Sequence, residues 1–271
     1  MRKLKKSLYI IPLAIVSIIS AIPFYFILTM ATHDTGEIYR GEFMFFGSHL
    51  MKNLTTIVEG GFLKYYWTSI YTALLATLLC LLVSLMQSHA MTVYNFKSKK
   101  FVTSFIMTTM MIPGQISLLG YTVEMRNFGL INTHWPLIFT WAASAYSVYF
   151  ISQFMKTSLP MELIESARID GCGEIRTFLS ISIPMAKPAI GTQFMLTFLW
   201  AWNNFMMPST VLTDSSMFTL PLGIQTLATA YTQDWGARTA ALAIAVLPML
   251  IIFACGSKYF IKGLAAGAVK G

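Results

Sequence analysis

Charge is what this chain most lacks. Asp, Glu, Lys and Arg together fill 11% of its 271 positions, against roughly 25% in soluble globular domains. A water-soluble protein of that length would leave a large apolar area facing solvent. Cysteine is scarce as well: Cys80, Cys172 and Cys255 stand far apart with no CxxC pair, which excludes a disulfide scaffold and leaves packing as their role. There is no GxxxxGK[ST] phosphate loop and no HExxH, GxSxG or SxxK sequence, so neither nucleotide hydrolysis nor those kinds of catalysis is expected. His33, His49, His89 and His134 are scattered near the ends of apolar stretches; no metal ligands or catalytic residues are expected.

What is present is apolar residue. The AVILMFWYC set makes up 56% of the chain, and the mean hydropathy is +0.64. Uncharged apolar stretches run over 8–30, 67–87, 101–123, 135–155, 189–212 and 239–257. A hydrocarbon core of about 30 Å takes roughly 20 helical residues. Five stretches reach that length; the last has 19 residues, with Lys258 at its end able to snorkel. Backbone amides inside lipid must be satisfied within the element, and the runs do not alternate, so helices are expected rather than an outer-membrane barrel. The uncharged segment 215–233 contains Pro221, Gly223 and many Ser, Thr and Gln residues, and reads as an outer loop with a short helix.

The expected fold is therefore an all-α polytopic membrane protein with six transmembrane helices, a single domain over 1–271. With both termini cytoplasmic, the inner segments 1–7, 90–100, 156–188 and 258–271 hold 14 of the 19 Lys and Arg residues. The outer ones hold Arg40, Lys52, Lys64, Arg126 and Arg238. That is the positive-inside bias. It accounts for the net charge of +8 without nucleic acid, since the basic residues sit at span ends and not in one patch. The basic start before residue 8 could pass for a signal peptide, but its apolar run is too long and further spans follow, so it reads as an uncleaved first helix.

No span carries a charge at its middle. Glu124 and Arg126 fall at the outer end of the third and His89 at the inner end of the second. A gradient-driven secondary sugar carrier would need an ionisable group within the membrane, or an inverted repeat, and neither is found. A bundle without its own engine needs mechanical input, and the long cytoplasmic stretch 156–188 is the one place to apply it. Pro160 suits a first helical turn; Glu162 and Glu165 lie near the favourable N-terminal end; Arg168 follows Glu165 at i+3; Gly171 is placed as a stop. A second amphipathic run has Ile175, Phe178, Leu179 and Ser182 at helical spacing, closed by Pro184 and Pro188. Residues 162–174 carry four acids against one base, which disfavours lying flat on lipid headgroups and favours docking to protein.

Glu165-Ser166-Ala167, three residues, Gly171, nine residues, then Ile181-Ser182-Ile183-Pro184 resembles the signature of ABC-importer permeases, EAA-x3-G-x9-I-x-LP, with Ser166 and Ile183 as mild departures. Phe128-Gly129-Leu130-Ile131-Asn132-Thr133, Trp202-Asn203-Asn204-Phe205, Thr219-Leu220-Pro221-Leu222-Gly223 and the ending from Tyr259 resemble the carbohydrate-uptake branch, and within it the maltose-type second permease subunit. Asn204 stands where that family more often has an acid, and Gly120 where it often has proline.

The resemblance implies a subunit of the bacterial cytoplasmic membrane that passes a carbohydrate, an oligosaccharide by preference, delivered by an extracytoplasmic solute-binding protein. A sugar phosphate is the alternative solute. It implies a second related permease and two cytoplasmic ATPase subunits, which would hold the ATP and Mg; no cofactor belongs to this chain. The short helix would dock into the ATPase. Glu165 would pair with a basic residue there, Ala167 and Gly171 would allow close approach, and Ser166, Arg168, Asp170, Ile181 and Pro184 complete the docking set. The outer loop 208–238 would face the binding protein through Thr213, Asp214, Tyr231, Gln233 and Asp234. Candidates for the sugar path are Gln115, Tyr121, Trp141, Tyr146, Trp200, Trp202, Asn203 and Asn204, because aromatics stack on sugar rings and amides bond hydroxyls.

Overall fold

The computed structural model describes residues 2–226 and 234–268, with side chains over 10–225 and 234–258. Every regular element among them is helical. In chain order they are α1 (Arg2–Met30), α2 (Thr35–Tyr39), α3 (Leu50–Glu59), α4 (Phe62–Val93), α5 (Lys99–Thr109), α6 (Gly114–Asn127), α7 (Trp135–Ala142), α8 (Ala145–Ser158) and α9 (Met161–Ile169). There follow α10 (Glu174–Thr177), a π-helical turn (Phe178–Ser182), α11 (Ile183–Met185), α12 (Lys187–Trp202), α13 (Met206–Val211), a 3-10 turn (Ser215–Met217), α14 (Leu220–Thr226) and α15 (Trp235–Ala268).

Three helical segments are long and apolar enough to cross a membrane: Ile10–Met30, Phe62–Val93 and Trp235–Lys258. They contain the first, second and last expected spans. The other three expectations need correction, because none is a single helix. The stretch 101–123 is broken between α5 and α6, which meet at 102°. Pro113 has no amide hydrogen to donate and sits at φ −59°, ψ 130°, so the first helix stops and a second starts at Gly114. The stretch 135–155 is divided at Ala143–Ser144, where Ser144 leaves helical geometry and its hydroxyl accepts the Ser147 amide to start α8. The stretch 189–212 ends its long helix at Trp202; Asn203 and Asn204 intervene before α13.

The chain divides into two compact units, residues 1–66 with 219–248 and residues 67–218 with 249–271. In the first, the Asn53 amide donates to the Ala31 and His33 carbonyls at 2.8 and 2.9 Å. Gly223, in the Thr219–Gly223 motif, lies so close to the Tyr65 ring that a β-carbon there would come within 2.2 Å of it. The loop with a short helix expected around Pro221 is seen as the 3-10 turn and α14. Tyr231 and Gln233 lie outside the described residues.

The second unit packs α4, α8 and α12 around Leu81, Leu85, Ile151, Met155 and Ala186. Among these apolar contacts, Gln193 donates to Ser147 and Thr197 at 2.6 and 3.0 Å, and Ser147 donates to Ser144 at 2.8 Å. Cys80 joins the same buried group through Ser147. In a low-dielectric interior such hydrogen bonds tie helices together where apolar surface alone gives little preference over lipid.

Candidate functional site

The loop after α8 has the organisation its spacing predicts. Pro160 precedes α9, which spans nine residues and carries Glu162 in its first turn. Ile164 is fully buried against Val93 and Leu159, with Tyr94, Met161 and Ile181 around it. The signature Ile181 is thus an anchor of the loop rather than part of its exposed face. Gly171 closes the helix at φ +77°; its amide donates to the Arg168 carbonyl and the Cys172 amide to the Ala167 carbonyl, at 3.0 and 2.8 Å. That pair of bonds is a Schellman cap, and the left-handed position in it is what demands glycine.

Arg168 does not pair with Glu165. Its guanidinium donates to both Glu174 oxygens, at 2.9 and 3.2 Å, across the turn that Gly171 makes. The Tyr94 hydroxyl donates to the same carboxylate at 2.6 Å, and the guanidinium lies over the Tyr94 ring. These donors hold the Glu174 carboxyl below its usual range, Arg168 first and Tyr94 second. Tyr94 and Glu174 were not among the expected functional residues: i+3 spacing pointed to Glu165, whereas the chain reversal brings Glu174 closer. The consequence is an exposed Glu165 with no ion pair among the described residues. In the same loop Leu163, Ile169, Ile175 and Leu179 are also exposed. Ser166, Asp170 and Pro184 are exposed and Ala167 half-buried. The second amphipathic run splits by face: Phe178 packs on His89 and Ser182 is buried, hydrogen-bonded to that ring at 2.9 Å, while Ile175 and Leu179 look outward.

The three helix interruptions open onto one cavity. A space of about 490 Å³ is lined by Gly114 from the first break, Ala143 from the second and Asn204 from the third, together with Gln115, Tyr121 and Trp141. Ser117, Thr140, Phe139, Met206 and Met207 complete much of the wall. Four of the eight expected path residues therefore meet. Asn204 accepts the Met207 amide at 3.2 Å through its side-chain oxygen, and its amino group has no acceptor among the described residues. The Tyr121 hydroxyl donates to the Pro136 carbonyl at 2.8 Å, so it offers mainly its ring and a lone pair. Trp141 stacks on Trp200 at 6.2 Å and 17°, and Trp200 meets Tyr146 edge-on; neither Trp200 nor Tyr146 lines the cavity. Trp202 and Asn203 do not join. Trp202 is buried against Phe198, and Asn203 turns back to the Leu199 carbonyl and the Met249 sulfur.

The described polar residues of the segment 208–238 are used locally. Asn132, with φ 59°, accepts the Thr213 and Asp214 amides at 3.1 and 3.0 Å. Asp214 caps the 3-10 turn through the Ser216 amide. Asp234 accepts the Ala237 amide at 3.0 Å at the start of α15.

Interrupted apolar helices thus surround an uncharged cavity. Residues 85–265 match the model of the family described as binding-protein-dependent transport system inner membrane component. The chain belongs to that family. The permease is 35% identical to an arabinooligosaccharide transport system permease protein of Bacillus subtilis, over 81% of this chain and 78% of that one. It is 32% identical to a melibiose/raffinose/stachyose import permease protein of the same organism, over 98% of both. To a lactose transport system permease protein of Rhizobium radiobacter it is 29% identical over 95% and 94%. Its fold is similar to a chain in the crystal structure of a bacterial ABC transporter involved in the import of alginate, an acidic polysaccharide. That match has TM-score 0.82, covers 95% and 97% of the two chains, and has 16% identity. The permease is a multi-pass protein of the bacterial cytoplasmic membrane.

Proposed function

We propose that this permease conducts a neutral oligosaccharide through an ATP-driven importer, and that the cavity at the three helix breaks is the part of the path this subunit supplies. Convergence of the breaks carries the reading. Backbone without helical partners is tolerated at membrane depth only where it is buried in protein or faces a polar space. Here Gly114, Ala143 and Asn204 come from three separate interruptions to one wall. Trp141 supplies a stacking face, and Gln115, Ser117, Thr140 and Asn204 supply groups for hydroxyls. No cation lines the space, which favours an uncharged sugar over a sugar phosphate or an acidic glycan. No Asp, Glu, Lys, Arg or His lines it that could sense a gradient.

The whole chain, 1–271, acts as one permease domain. The interrupted stretches complete six crossings, both termini lie in the cytoplasm, and α9 is the coupling helix. A second related permease completes the pathway, an external binding protein delivers the sugar, and two ATPase subunits hold the ATP and Mg. Closure of those subunits presses on the turn at Glu165–Gly171, and that force exchanges inward and outward openings. Thr213, Asp214, Tyr231, Gln233 and Asp234 belong to the face toward the binding protein.

The test is uptake of labelled arabinooligosaccharides, lactose and raffinose by proteoliposomes holding the assembled importer. ATP-dependent uptake of at least one, insensitive to ionophores, is expected. Accumulation by this chain alone under an imposed pH or sodium gradient would overturn the reading.

A further inference from the structure

The start of α5 carries a basic surface that neither the sugar path nor the ATPase-docking turn uses. Lys97, Lys99 and Lys100 line a concavity of about 850 Å³, with Phe96 in its wall. Lys99 and Thr103 also line a small adjoining crevice of about 40 Å³ between α4, α5 and α8, whose wall mixes Met91 and Val148 with Ser152 and Lys156. No carboxylate lines either space. Lys99 donates to the Tyr94 carbonyl at 2.8 Å, which fixes its side chain. Lys97, Lys100 and Lys156 are exposed and make no ion pair among the described residues.

We propose that this surface is a binding site for an anionic phospholipid of the cytoplasmic leaflet. The phosphodiester headgroup lies among Lys97, Lys100 and Lys156, and an acyl chain runs along the exposed rings of Phe101 and Phe105. The inference rests on the cytoplasmic placement of 90–100 proposed above. A preference for positive loops accounts for the number of lysines. It does not account for three of them lining one concavity next to a helix face that exposes Phe101 and Phe105, a combination suited to an amphiphile. The neighbouring surface favours a lipid over a soluble phosphate: Phe101 and Phe105, on the same helix, are stacked on each other at 6.4 Å and exposed by 72% and 61%. Such rings belong in acyl chains or headgroups.

The test is native mass spectrometry of the complete importer, extracted from nanodiscs of phosphatidylcholine with or without phosphatidylglycerol. Wild type is expected to retain phosphatidylglycerol over phosphatidylcholine. At about 1 kcal/mol per lysine near an anionic surface, the triple variant Lys97→Gln, Lys100→Gln, Lys156→Gln loses that preference on the order of a hundredfold, while the triple Arg variant keeps it. Equal retention of the two lipids by wild type would overturn the site, as would unchanged retention in the Gln variant. So would displacement of the bound lipid by dissolved glycerol phosphate, or loss of ATPase subunits from the Gln variant with its lipid retained. Thiol labelling of a cysteine at 97 from inside cells separates the two readings. Labelling from outside would sink the orientation; labelling from inside with no lipid preference would sink the lipid site alone.

Discussion

His33 is held by two atoms that can only accept. Its Nδ1 faces a Glu37 carboxylate oxygen at 2.9 Å and its Nε2 the Phe45 carbonyl at 2.8 Å. The Asp34 amide donates to the same Glu37 oxygen, and His33 first, then that amide, lower the Glu37 pKa; the pair of acceptors facing the ring favours the imidazolium, which donates from both nitrogens. The Phe45 carbonyl, then burial in opposition, then Glu37 set the balance, and the pKa is raised above 6.5. A raised value means the contribution to stability is full below the ordinary histidine pKa and fades as pH climbs through the raised one. Thermal unfolding followed against pH should show that loss in wild type and a flatter profile in His33→Gln. Glu174 has the opposite sign: its value is lowered from 4.5 by Arg168 and Tyr94. Its contribution is present above 4.5 and fades as pH falls through the lowered value, and Glu174→Gln should remove it. At Gly171 the constraint is conformational. A β-carbon there would meet nothing within 4 Å, yet φ is +77°, so Gly171→Ala should cost about 1 kcal/mol in the loop. Glu165, exposed and unpaired, is the residue to reverse. Glu165→Lys should leave membrane insertion intact and abolish sugar-stimulated ATP hydrolysis; normal coupling would remove α9 from the docking role.

Helices ask a different question, namely where each one stops. Hydropathy points to the three helices that are long and apolar enough to cross a membrane, because that property depends on composition. It missed the three breaks, because an interruption depends on who donates to whom along the backbone. The Pro113–Gly114 pair was readable as a breaker but lies within an uninterrupted apolar run. Ser144 and Asn204 resemble ordinary helix residues until their side chains accept the Ser147 and Met207 amides. Gly171 was legible for the converse reason, since a polar loop makes a lone glycine stand out as a stop. The Arg168–Glu174 pair was not, since it forms only once the Schellman turn folds back. Ile164→Ala removes the one fully buried side chain of α9 and should destabilise the loop by about 2–5 kcal/mol, read as faster proteolysis between 156 and 188. Pro113→Ala should restore amide donation, straighten the junction of α5 and α6, and lower uptake with the protein still inserted.

Across the whole molecule, two tasks are divided between neutral and charged regions. The cavity residues Gln115, Trp141 and Asn204 are uncharged, whereas ion pairs form at the turn after α9, between Arg168 and Glu174, and around α2, where His33 faces Glu37 and Arg40 meets Glu42. That distribution suits a body that recognises a neutral solute weakly and is driven from outside itself. Trp141→Ala, which deletes the stacking face, should raise the apparent KM for sugar about three- to tenfold with little change in basal ATP hydrolysis. The most direct measurement is sugar-dependent protection of Gln115→Cys in the assembled importer, with a water-soluble thiol reagent added while turnover is arrested by a nonhydrolysable nucleotide. The account predicts ready modification without sugar and slowed modification when loaded binding protein is present. Modification at the same rate with and without sugar would contradict it.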